Sequence, residues 1–212
     1  MNENISTLYN SILEGNATGA MEGIQSALDA GLEPGQILTD GMIAAMKEIG
    51  KRFEEGDCYL PDMLIAARAM QAGLSLLKPY LIQSNVKSAG KVVIGTVKGD
   101  LHDIGKNLVA MMLEGAGYEI IDLGVDVPTE AFVEAAKNFQ PDIIAMSALL
   151  TTTMLSMKTT IDAITAAGLR NRIQVIVGGA PVTEAYAQKI EADGFAPDAS
   201  QAVSLVQSLT KS

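Results

Sequence analysis

A chain of 212 residues, 48% hydrophobic and 4% aromatic, can bury one good core or two small ones, and its apolar content excludes a disordered segment. A formal net charge of −10 opposes nucleic acid or an anionic membrane as partner, and the lone Cys58 leaves no intrachain disulfide, which suits a reducing cytoplasm. MNENISTLYN lacks the basic-then-apolar order of a signal peptide, and no apolar run reaches the roughly 18–20 residues needed to span a bilayer, so a cytoplasmic protein is expected.

Residues 1–82 carry helical periodicity. Ile5, Leu8 and Ile12 predict a first helix, and Ala20, Ile24, Ala27 and Leu28 a second that stops at Gly31. Pro34 suits a first turn and starts a third, running through Ile37, Leu38, Met42, Met46, Ile49 and Phe53 until EEGDCY breaks it. A fourth begins near Leu60-Pro61 and carries Leu64, Ala67, Met70, Leu74 and Leu77, with Pro79 ending or bending it. Four amphipathic helices with short connections make a small bundle, and the polar QSNVKSAG at 83–90 reads as a linker. Two domains are therefore expected, at 1–88 and 89–212.

From Lys91 the pattern changes to short β-branched runs: VVIGTV (92–97), YEIIDLG (118–124), DIIAMSAL (142–149), QVIVGG (174–179) and a weaker fifth near GFAPD (194–198). Helical stretches fill the intervals at about 106–116, 130–139, 153–167, 183–192 and 201–210. Apolar strands alternating with helices predict an α/β fold, a parallel sheet covered on both faces. Ligands of such sheets bind beyond the carboxyl ends of the strands.

The single histidine of the chain, His102, falls just past the first strand, in GDLHDIGKN. That turn is not a phosphate loop, since it has one residue too many between its glycines, Asn107 where a hydroxyl belongs, and two carboxylates where phosphate would sit. A receiver domain would need an aspartate after the third strand, where Ser147-Ala148-Leu149 stands. One His and one distant Cys cannot supply a usual zinc set. There remain a turn-stabilising histidine with solvated aspartates, or a metal ligand. For the latter, Asp100 stands two residues away on the same side of an extended segment, where its carboxylate can accept the N–H of one ring nitrogen and leave the other for a metal. Gly99 and Gly105 let the backbone approach a bulky ligand closely.

Asp100-x-His102-x-x-Gly105, 41 residues, Ser147-x-Leu149, 28 residues and Gly178-Gly179 together resemble the cobalamin-binding signature, with its elements on the first, third and fourth strand ends. IGKRFEEGDCYLPDMLIAARAM resembles the helical cap that precedes the cobalamin domain in methionine synthase and in the small corrinoid proteins of methyltransferase systems. The likeness covers nearly the whole chain. It implies a four-helix cap followed by a flavodoxin-like (Rossmann-like) five-stranded parallel sheet of order 2-1-3-4-5. It also implies a cobalamin or related corrinoid cofactor held His-on and base-off, cycling through Co(I) and a methylated Co(III).

By that resemblance His102 is the lower metal ligand, and Asp100 and Thr153 complete a relay behind it, the methionine synthase pattern having a serine in place of Thr153. Gly99, Leu101, Asp103, Ile104 and Gly105 form the binding turn. Ser147, Leu149, Gly178 and Gly179 line the slot for the cofactor's nucleotide tail, with Ala199 beside it. Thr151 contacts the corrinoid. In the cap, Phe53 and Leu60 match the apolar residues that shield the methyl group.

The function implied is a methyl carrier without a complete catalytic site of its own. Its partners would be a substrate-specific corrinoid methyltransferase, an acceptor methyltransferase of the tetrahydrofolate or coenzyme M type, and a reductive activation protein. A cobalamin-dependent regulator or the cobalamin subunit of a radical mutase are the alternatives. The acidic N-terminal half supplies no DNA-binding output for the first, and mutase subunits typically lack such a cap.

Overall fold

Asn2 and Asn16 open the first two helices, each accepting a backbone N–H on its side-chain oxygen, from Asn4 and Gly19 at 3.0 and 2.9 Å. The computed structural model describes residues 2–210, and the chain divides into two compact units, 1–88 with 114–117 and 89–113 with 118–212.

In the first unit α1 (Glu3–Leu13) and α2 (Ala17–Asp29) bury the predicted Ile5, Leu8, Ile12, Ala20, Ile24 and Ala27. The third helical run comes in three joined pieces: α3 (Pro34–Gln36), a π-helical stretch Ile37–Ile43, and α4 (Ala44–Glu55). Apolar periodicity gave no sign of that wide stretch. Gly56 closes the run in the left-handed conformation that a helix C-terminus favours. The last helix, α5 (Leu60–Gln83), buries Met63, Ala66, Ala67, Met70, Gly73 and Leu77 at helical spacing. It does not end at Pro79 but runs four residues further. A proline so near the end removes a single donor from the helix ladder, which one turn of following helix tolerates.

The second unit holds a five-stranded, all-parallel sheet of order β2-β1-β3-β4-β5, as the resemblance implies. Its strands are β1 (Lys91–Thr96), β2 (Glu119–Asp122), β3 (Ile143–Ser147), β4 (Gln174–Gly178) and β5 (Gly194–Ala196). The three central strands are buried along nearly their whole length, which is why they read as unbroken apolar runs. Helices α6 (Ile104–Gly115), α7 (Thr129–Phe139), α8 (Leu155–Ala166), α9 (Glu184–Lys189) and α10 (Ala199–Thr210) connect or follow them. Gly95 leaves room in β1 for the ring of Phe132, which a Cβ would approach to 2.9 Å.

Register sets the stage for the site. Thr96 pairs with Ser147, Ser147 with Gly178 and Gly178 with Ala196, a single row across the carboxyl ends of four strands. The third strand is shorter than the run DIIAMSAL: it stops at Ser147 because the chain then turns its Leu149 and Leu150 amides toward Asp100. Among the described residues no helix is long and apolar enough to cross a membrane.

Candidate functional site

Between β1 and α6 the chain turns at Gly99, whose φ of +84° is a left-handed conformation that a side chain disfavours. The Gly99 N–H donates to Asp126 Oδ1 at 2.7 Å, and the Asp126 N–H donates to the Asp100 carbonyl at 2.9 Å. This double tie aims the Asp100 side chain inward, where it is wholly buried. Oδ1 accepts from the His102 N–H at 3.1 Å and lies 2.7 Å from ring Nδ1. Oδ2 accepts from the amides of Leu149 and Leu150 at 2.7 and 3.2 Å and from the Thr153 hydroxyl at 2.7 Å. The Thr153 oxygen also stands 2.8 Å from the Leu150 carbonyl, but it has one hydrogen, and the carboxylate is the stronger acceptor.

A buried carboxyl ordinarily resists ionising. Here burial pushes the Asp100 pKa up, but the Leu149 amide, the His102 ring, the Thr153 hydroxyl and the His102 amide outweigh it and hold the group well below the usual carboxylate range. Asp100 is therefore an anion whose oxygens can only accept. The ring atom facing it must donate, so the neutral imidazole of His102 is the Nδ1–H tautomer, with its lone pair on Nε2. The His102 side chain is 52% exposed, so that lone pair is available to a ligand.

The turn that carries His102 and the segment that caps Asp100 leave several large apolar side chains exposed. Leu101 and Ile104 flank the histidine in the chain at 71% and 70% exposure, and Leu149, Leu150 and Leu155, from the segment that caps Asp100, are exposed as well. A Cβ at Gly105 would meet nothing within 4 Å, so the protein itself does not require that glycine. Among the described residues no group of three or more His, Cys, Asp or Glu could hold a metal ion. One free imidazole nitrogen in an apolar, open surround fits a metal that arrives with a macrocycle of its own ligands.

The remaining expected residues fall into four groups. Asp103 is exposed at the start of α6, its carbonyl accepting from the Asn107 amide at 2.7 Å and its carboxylate from the Asn107 side chain at 3.1 Å. Ser147 and Gly178 sit in register on the row of strand ends, Thr151 is exposed beyond β3, and Ala199 is buried as the first residue of α10. Gly179 has a reason internal to the fold, since a Cβ there would stand 1.9 Å from the Ala148 carbonyl oxygen. Phe53 and Leu60 belong to the first unit, where Phe53 is half-buried in the last turn of α4 and Leu60 exposed at the start of α5. Neither is part of the buried core.

Several participants escaped the sequence reading. Thr96, buried at the end of β1, donates its hydroxyl to the His102 carbonyl at 2.8 Å. Lys106 is buried with its ammonium 2.5 Å from Asp122 Oδ2, pinning α6 to β2. Tyr186 on α9 donates to the Met154 carbonyl at 2.6 Å, steadying the segment that carries Thr153. A polar or charged residue in an otherwise apolar stretch was the only signal for Thr96, and their partners lie too far along the chain to be guessed.

Comparison with known proteins gives this geometry a family. Two B12 binding domain models match, one over residues 90–204 and the other over 5–78. Trimethylamine corrinoid protein 2 of Methanosarcina acetivorans is 43% identical over 99% of this chain and 98% of its own. The dimethylamine corrinoid protein of Methanosarcina barkeri is 45% identical over 84% of each chain. Among solved structures, a cobalamin-binding protein from Desulfitobacterium hafniense superposes with a TM-score of 0.79 at 34% identity, covering 97% of this chain and 98% of that one. The methanol:cobalamin methyltransferase complex of Methanosarcina barkeri contains a chain that superposes with a TM-score of 0.88 at 30% identity, over 99% of this chain and 80% of that one. With a carboxylate-tethered imidazole at the strand ends and likeness to these relatives over nearly its full length, the chain belongs to the family of B12-binding corrinoid proteins.

Proposed function

We infer that this methyl-carrying corrinoid protein serves the demethylation of a methylated amine. Relatives named for trimethylamine or dimethylamine share 41–46% identity with it, against 30% for the chain in the methanol complex. The observation that carries the corrinoid reading is the Asp100–His102 pair, an imidazole whose Nδ1 is held by a buried carboxylate while its side chain stays half exposed. A bound corrinoid supplies the cobalt that takes up and gives back the methyl group.

The residues of the chain then have these roles. His102 would hold the cobalt through Nε2, while Asp100 and Thr153 keep the ring in the tautomer that could do so. Gly99, Asp103 and Gly105 shape the turn, and the exposed Leu101, Ile104 and Leu149 offer apolar surface that a bound corrinoid would cover. Ser147 and Gly178 on the row of strand ends, with Thr151 beyond β3 and Ala199 at the start of α10, would receive the corrinoid and its tail. A substrate-specific methyltransferase loads the carrier, an acceptor methyltransferase of the tetrahydrofolate or coenzyme M type unloads it, and a reductive activation protein rescues oxidised cofactor. By resemblance, Phe53 and Leu60 protect the carried group from water and oxygen.

The decisive test uses the one histidine. In the Co(II) form reconstituted with nitrogen-15-labelled histidine, the axial-nitrogen splitting of the electron paramagnetic resonance spectrum is expected to change from that of unlabelled protein. An unchanged splitting would remove His102 from the metal. Phe53→Ala and Leu60→Ala are expected to hasten oxidation of the reduced cofactor while leaving its affinity unaltered. Weakened binding with unaltered oxidation would reassign both to packing.

A further inference from the structure

Thr96 closes β1 with a wholly buried hydroxyl, in a strand whose other side chains are Lys91 at the start and apolar residues thereafter. Its backbone is committed on both sides: the N–H donates to the Gly124 carbonyl and the carbonyl accepts from the Val127 amide, each at 3.0 Å. It also stands in register with Ser147 on the central strand. The residue is thus a fixed point of the sheet. Its hydroxyl donates at 2.8 Å to the carbonyl of His102, six residues further on.

Two other bonds hold His102, from its N–H and from ring Nδ1, and both end on the same oxygen, Asp100 Oδ1. Two bonds to one atom leave a pivot: the residue can swing about that oxygen, bending and lengthening both bonds as it does. A third bond, from the opposite end of the residue to a rigid strand, removes the swing. We propose that Thr96 is a positioning residue for His102, fixing the direction of Nε2 before a ligand arrives by holding the His102 carbonyl to the end of β1. Such preorganisation lessens the ordering that binding would otherwise require. The inference rests on the reading of His102 as the lower metal ligand. It goes beyond the relay of Asp100 and Thr153, because the Thr96 hydroxyl donates to the His102 backbone rather than to the carboxylate or the ring.

Loosening the pivot lengthens the ring's contact with Asp100 and frees the imidazole to place its proton on Nε2, its usual site in water. Tautomer is therefore a readout that plain satisfaction of a buried hydroxyl would not move. The experiment uses cofactor-free protein labelled with nitrogen-15 histidine, in which one residue gives one set of ring signals. Wild type is expected as the Nδ1–H tautomer. Thr96→Val is expected to show a mixture, with ring N–H exchange faster by about threefold to tenfold, the equivalent of one net hydrogen bond. Thr96→Ser, which keeps the hydroxyl, is expected to restore the wild-type pattern.

A folded Thr96→Val protein with wild-type tautomer and exchange would overturn the proposal. So would a folded Thr96→Ser protein whose ring has shifted, and that comparison decides the matter if the valine variant does not fold. The paramagnetic test on wild type fails separately: histidine signals that follow Thr96, with a splitting that ignores the label, would leave the positioning intact and remove the metal.

Discussion

Gly179→Ala is expected to lower the stability of the cofactor-free protein by about 3–5 kcal/mol, through overpacking against backbone added to strain at a left-handed φ. Its φ of +122° is one that side chains rarely adopt, and a Cβ would press to 1.9 Å from the Ala148 carbonyl oxygen and 2.9 Å from its carbon. Neither is the flexible end of a side chain, so the strand end itself would have to move. Gly178→Ala is a different case. Its Cβ would meet only the Ala196 carbonyl oxygen, at 3.1 Å, and its backbone is ordinary strand, so a cost of about 1 kcal/mol is expected. Urea midpoints at constant m-value measure both. A Gly179→Ala protein as stable as wild type would show that the fold does not need that glycine, and the tail slot would then be its reason. For Gly178 the proposed slot predicts the reverse balance, with corrinoid affinity falling much more than stability.

That pair marks where sequence reasoning sees and where it does not. Gly178-Gly179 was legible as a motif, but only coordinates separate a glycine demanded by a neighbouring carbonyl from one that leaves space on the row of strand ends. The sheet order followed from the resemblance, and the alternation of apolar strands with helices fixed its parallel class. Asp100 and His102 were legible because a carboxylate two residues from an imidazole is a local relation, and its hydrogen bond is the one expected. Thr96, Tyr186 and the Lys106–Asp122 pair were not, since each is defined by a partner 6 to 32 residues away. Leu150 shows the same limit. The reading named Leu149 as a motif residue, yet the reason for that segment's path is that two consecutive amides, of Leu149 and Leu150, both serve Asp100. Periodicity also missed the π-helical stretch Ile37–Ile43, because the buried positions around it keep an ordinary helical spacing.

Asp100 should prove the most expensive polar side chain to remove. Asp100→Ala is expected to destabilise the cofactor-free protein by about 3–5 kcal/mol, the scale for breaking a buried charged network. The amides of Leu149, Leu150 and His102 and the Thr153 hydroxyl would lose their acceptor at once. Asp100→Asn is expected to cost about 2–3 kcal/mol, because one oxygen still accepts while the new NH2 faces donors. The pH dependence separates charge from shape. The folded carboxyl is held below its ordinary value of 3.8, so the unfolded chain takes up the proton first as pH falls. The stabilisation from the ionised form is therefore fully present above about pH 5 and shrinks progressively from about pH 4 downward. Other carboxyls titrate alike in wild type and in Asp100→Asn, so the difference between the two urea midpoints isolates this group. That difference should narrow as the pH falls from about 4 toward 3. A gap unchanged down to pH 3 would mean that Asp100 is not an anion held by its four donors and the ring. The assignment of His102 as the Nδ1–H tautomer, which rests on that anion, would then fall with it.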